Sequence, residues 1–150
     1  MADDDPVHRR IALTVKRILS LDGGGIRGMF SLQIIARIEH FFRQERGRED
    51  LVLADEFDLF AGTSTGAIIA TALAWGMSVD DIEEMYEKRG AEMFARAAWH
   101  QRWKSKYRAD ALASMFRHLF SEDGSGALPA RLGSDRLRKL LLIVMRNAST

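Results

Sequence analysis

Phe57-Asp58-Leu59-Phe60-Ala61-Gly62-Thr63-Ser64-Thr65-Gly66, running on into the almost wholly apolar Ala67 to Trp75, decides the fold of this chain. Phe57, Leu59, Phe60 and Ala61 read as a short apolar strand, Gly62 to Gly66 as a tight turn, and Ala67 to Trp75 as a helix. A helix without a polar face is a buried one, and its natural partner here is a sheet.

The same grammar appears upstream. Lys16 to Leu21, preceded by Ile11 to Val15, reads as a strand ending at Asp22, and Gly23-Gly24-Gly25 as a turn. Beyond Gly28, Met29, Leu32, Ile35, Ile38 and Phe42 recur at helical spacing, with Arg37, His40 and Arg43 opposite, until Gly47 closes the helix. Downstream, Ser78 is placed to cap an acidic helix with Asp81 completing a capping box. Asp110 to Phe120 reads as another helix, Ser121 to Gly133 as a loop, and Leu140 to Met145 as a continuous apolar strand. This alternation predicts an α/β fold, a mostly parallel sheet flanked by helices. Both glycine turns follow strands, so both belong at the carboxyl edge of the sheet, where one crevice can receive them.

Composition narrows the class. The chain has 150 residues, 47% hydrophobic and 29% charged, with net charge +1 and no cysteine. That suits one soluble domain over 11–150, with 1–10 as a polar lead-in. Without cysteine there are no disulfides, thiolate zinc sites or cysteine nucleophiles. The acidic start Met1-Ala2-Asp3-Asp4-Asp5 is unlike a secretory signal, and Ala67 to Trp75 is far short of the ~20 residues that span a bilayer. The expectation is a cytoplasmic protein without nucleic-acid affinity. His8, His40 and His100 have no ligand-like spacing with carboxylates, so neither metal nor other cofactor is expected.

Gly62-Thr63-Ser64-Thr65-Gly66 fits the G-x-S-x-G nucleophile elbow, in which a sharp strand-to-helix turn thrusts the serine hydroxyl outward. The helix that follows aims free amides and its positive dipole end at that hydroxyl. An ordinary Gly/Ser/Thr turn capping a helix is the competing explanation. In Asp22-Gly23-Gly24-Gly25-Ile26-Arg27-Gly28, successive glycines let backbone amides reach a substrate oxygen with no side chain between. Such donors, aimed where an oxyanion forms, are often the largest single catalytic contribution. Arg27 offers a fixed positive charge, for a lipid phosphate or for positioning the loop. Gly23, Gly25 and Gly28 also match the G-x-G-x-x-G dinucleotide fingerprint, with Leu51 to Asp55 as a second strand ending in the required carboxylate.

Taken together, Asp22 to Gly28 and Gly62 to Gly66 resemble the opening half of the patatin-like phospholipases, a similarity running from about Lys16 to the last residue. The resemblance implies a lipid acyl hydrolase of phospholipase A or esterase type, active in lipid degradation. It makes Ser64 the acylated nucleophile of a serine–aspartate dyad. Gly23, Gly24, Gly25 and Arg27 would form the oxyanion hole, with Gly28, Gly62 and Gly66 as motif glycines. Membrane or micellar glycerolipids, met peripherally, would be its substrates.

The chain departs from the family in one respect: no Asp-Gly-Gly or Asp-Gly-Ala motif follows Ser64. Asp123-Gly124-Ser125 is a weak imitation that reads as a surface turn, Asp22 as a turn-shaping residue and Asp135 as a local cap. The order Ser64, Asp110, His118 mimics a hydrolase triad, but His118 falls on a helix among surface charges. The expectation is a truncated domain lacking its second half and its base. The alternatives are a base donated by a partner chain, as in a homo-oligomer, or a catalytically inactive fragment. Trp99 to Arg108, basic and aromatic, suits a lipid headgroup surface, a lid, or a solvated connector.

Overall fold

The computed structural model describes residues 16–24, 28–94, 113–114 and 116–145, with the backbone alone for 89–94. The elements are β1 (Ile18–Leu21), α1 (Gly28–Arg46), the single turn α2 (Leu53–Glu56), β2 (Leu59–Thr63), α3 (Thr65–Trp75), α4 (Val79–Phe94) and β3 (Leu140–Val144). The sheet is parallel throughout, in the order β1-β2-β3. This is the α/β architecture expected from the alternation. Ile11 to Val15 and Trp99 to Arg108 lie outside the described residues. So do Asp110 and most of the first turn of the helix expected to Phe120, of which 113–114 and 116–119 are helical.

Leu19, Phe60 and Leu141 stand side by side in register, and all three pack into the core beneath α3. Helix α3 meets this row with Ile69, Ala70, Leu73 and Ala74, all fully buried. Small residues bring the layers together. A Cβ on Gly62 would lie 2.4 Å from the Gly66 carbonyl carbon, and one on Gly66 only 2.2 Å from the Leu21 carbonyl oxygen. The start of α3 therefore rests directly on backbone from two strands. At its other end Gly76, at φ 94°, closes α3 in the left-handed conformation. There the amides of Arg138 and Lys139 bond to the Ala74 carbonyl and lead the chain into β3.

The alternate row faces the other way. Ile18, Leu142 and Val144 are exposed, as is Met145 just beyond β3. Leu140 to Met145 is thus apolar throughout but buried along one side only. Parallel sheets normally carry cover on both faces; the described residues cover one.

Two local expectations are corrected. Leu51 to Asp55 does not form a strand: Leu53–Glu56 coils into α2, whose Asp55 carboxylate receives the Val52 amide and pairs with Arg138 at 2.6 Å. Arg43 does not lie on the solvent face of α1. It turns inward to Glu39 at 2.6 Å, with its Nε donating to the Leu51 carbonyl at 2.9 Å.

That inward turn serves a buried carboxylate. Glu39 is 1% exposed. Beyond Arg43, it accepts the amides of Leu53 at 3.2 Å and Val79 at 3.1 Å. One side chain on α1 thereby caps α4 and fixes the entry to α2. Ser78 contributes the expected cap beside it, accepting the Asp81 amide at 3.1 Å. Burial outweighs these donors and the Arg43 charge, and holds the Glu39 carboxyl above its ordinary value of 4.5.

Gly66→Ala is expected to destabilise the fold by about 1–3 kcal/mol or more in urea unfolding, because backbone cannot yield as a side chain does. Gly133→Ala, with nothing within 4 Å of the new methyl, should stay within about 0.5 kcal/mol of the parent. For Glu39 the sign follows from its raised value. The folded state holds the proton more tightly, so this contribution is full below 4.5 and fades as pH rises through the folded-state value. Glu39→Gln lacks this slope. Its melting-temperature deficit against the parent is expected to narrow between pH 4.5 and 7; a deficit that widens contradicts the assignment.

Candidate active site

Thr63 ends β2, Thr65 begins α3, and Ser64 alone makes the turn between them. Its backbone sits at φ 49°, ψ −122°, the only positive φ outside glycine among the described residues. A non-glycine side chain held there costs of order 1–3 kcal/mol and persists only where its surroundings impose it. Here the imposing contacts are those of Gly62 and Gly66, which leave the turn no wider path. Ser64 occupies the N-cap position of α3, yet its hydroxyl makes no capping hydrogen bond, and the residue is exposed. A helix-capping turn is therefore the poorer description of this segment.

The first glycine turn lies against it. A Cβ on Gly23 would fall 2.7 Å from the Ser64 Cβ and 2.8 Å from the Thr63 carbonyl oxygen. The Gly23 amide donates to the Thr63 hydroxyl at 2.9 Å. A Cβ on Gly28, at the start of α1, would fall 2.5 Å from the Thr65 methyl. Both ends of the Gly23–Gly28 loop are thus seated on the residues flanking Ser64. Gly25 and Arg27 lie outside the described residues, and Gly24 is exposed.

Behind the turn, Tyr86 reaches from α4 to donate its hydroxyl to the Thr65 carbonyl at 3.4 Å. Its ring is buried, and burial pushes the phenol well above its usual range, so it stays protonated. Neither Tyr86 nor the role of Thr63 emerged from the sequence. The spacing Glu39-x-x-x-Arg43 was the available sign of the buried pair described above.

The remaining candidates disperse. Asp123 accepts the Ser125 amide at 3.1 Å and also the Ser125 hydroxyl, which hold its exposed carboxyl below the usual range. That is the surface turn expected of it. His118 is exposed and bonds through Nδ1 to the Ser125 carbonyl at 3.1 Å. Among the described residues no carboxylate hydrogen-bonds to the Ser64 hydroxyl. The dinucleotide alternative loses its acidic partner, since Asp55 sits on α2 and not at a strand end.

Similarity to known proteins agrees with this geometry. The family model for patatin-like phospholipase matches residues 19–146. Over 78 residues the chain is 41% identical to a cGAMP-activated phospholipase of Vibrio cholerae, a match covering 52% of this chain and 22% of that protein. It is 37% identical over 81 residues to the calcium-independent phospholipase A2-gamma of Homo sapiens, covering 53% of this chain and 10% of the relative. Phospholipase A I of Arabidopsis thaliana is 33% identical over 104 residues, covering 63% of this chain and 7% of the plant protein. The matched stretch thus spans 22% or less of the length of these relatives. With the family match extending from β1 past β3, the chain belongs to the patatin-like phospholipase family.

Proposed function

We propose that residues 11–150 form the nucleophile-bearing part of a glycerolipid acyl hydrolase, with Ser64 as the acylated residue. The observation that carries this reading is the strained, exposed Ser64, its hydroxyl unused by the helix it begins and its Cβ abutting the glycine loop. In the reaction, Ser64 Oγ adds to the ester carbonyl, whose oxygen becomes an oxyanion. Gly24 and Gly25 are the amides to receive it, because the Gly23 amide already bonds to Thr63. Arg27 supplies positive charge to the same loop. Collapse of the adduct breaks the ester C–O bond, and the alcohol or lyso-lipid leaves with the serine proton. Water then cleaves the acyl-serine to release the fatty acid.

That proton needs a base. The family's dyad calls for an aspartate, and an ordinary carboxylate near ~3.9 serves poorly unless its site is dry and its geometry fixed. Among the described residues no carboxylate hydrogen-bonds to the Ser64 hydroxyl, and the base this reading calls for is one brought by further sequence or a partner chain. The substrates are membrane or micellar glycerolipids met peripherally from the cytoplasm. Among the described residues no helix is long and apolar enough to cross a membrane.

A fluorophosphonate probe tests the reading, since it needs a reactive hydroxyl and an oxyanion pocket but no turnover. Mass-spectrometric mapping should find the phosphonate on Ser64 and none on Ser64→Ala. Labelling is expected to be slow, for want of the base. Folded protein that takes up no probe would make the chain a catalytically inactive member of its family.

A further inference from the structure

Thr63 occupies the first variable position of the G-x-S-x-G pattern, which the chemistry of the elbow leaves open. Its surroundings do not. Along β2, Phe60 and Gly62 face α3, so alternation turns Thr63 to the opposite side, where the chain leaving β1 passes. There its hydroxyl accepts the Gly23 amide at 2.9 Å across 40 positions of sequence. The approach leaves no slack: a Cβ at Gly23 would meet the Thr63 Oγ1 at 3.2 Å and the Ser64 Cβ at 2.7 Å. At Gly23 the start of the loop is tied beside the nucleophile by a hydrogen bond to one side-chain oxygen.

We propose that the Thr63 hydroxyl is a positioning group that fixes the start of the glycine loop, at Gly23, beside Ser64. This rests on the reading of Ser64 as nucleophile and assigns two further roles. The Gly23 amide is a structural tie, which leaves the oxyanion to the amides after it. Threonine suits its position because β-branching restricts χ1 while the side chain still offers an acceptor. Valine retains the shape and loses the acceptor; serine retains the acceptor and loses the restriction.

Two readouts on the full chain separate the tie from its catalytic consequence. The first is hydrogen exchange at the Gly23 amide by NMR, which needs no reactivity. Exchange is expected to be about tenfold faster in Thr63→Val than in the parent, as befits one lost hydrogen bond, and close to the parent in Thr63→Ser. The second is the rate of fluorophosphonate labelling at Ser64. A loop displaced by a fraction of an ångström should slow it about tenfold or more in Thr63→Val, with Thr63→Ser recovering most of the rate. Thr63→Ala repeats both measurements should the valine variant fold poorly, and melting temperatures accompany each.

Equal Gly23 exchange in parent and Thr63→Val would overturn the tie, whatever the labelling does. Faster exchange with unchanged labelling would overturn the positioning role and leave Ser64 as nucleophile. A parent that protects Gly23 yet never labels at Ser64 would overturn the reading of Ser64 itself, and the positioning role with it.

Discussion

Every functional feature of this chain depends on a place where backbone touches backbone. Gly66 lies so near the Leu21 carbonyl that any side chain would overlap it, and Gly62 meets Gly66 in the same way. These contacts press the start of α3 onto the ends of β1 and β2. The residue between strand and helix must then turn within one position, and Ser64 does so in a conformation that non-glycine residues avoid. The strain at Ser64 and the exposure of its hydroxyl are two consequences of one close approach. The first glycine turn is drawn in by the same contact, because the strand it leaves is the one against which Gly66 packs.

Around this junction the protein uses polar groups sparingly and in buried places. Glu39 gathers an arginine and two backbone amides from three segments, joining α1 to the entries of α2 and α4. Such a buried pair is costly to desolvate and more costly to break. Its value lies in fixing where α4 begins, since α4 carries Tyr86 to the Thr65 carbonyl behind the elbow. The two arrangements form one chain of support from a helix cap to the nucleophile turn.

Much of this was legible in the sequence. The apolar run after Gly66 announced a buried helix, and the two glycine turns at strand ends announced a shared edge. Those signals are local and strong. Leu51 to Asp55 misled because a short apolar run reads equally as strand or buried turn; the acceptor on Glu39 decided for the helix by capturing the Leu53 amide. Arg43 misled because charge on a helix is solvated by default, and only its tertiary setting shows a buried partner. Thr63 was silent for a different reason: its role is a hydrogen bond to a residue far away in sequence. The burial of β3 along one side only was not legible in its composition, which is apolar throughout.

The central claim is that Ser64 and the polyglycine loop line one cleft able to hold a single ester carbonyl. An experimental structure of the Ser64 phosphonate adduct measures this most directly. The account expects the phosphoryl oxygen to lie about 2.7–3.1 Å from the Gly24 amide nitrogen, as an oxyanion would. An adduct whose phosphoryl oxygen faces open solvent, with the glycine loop on the opposite rim, would contradict it.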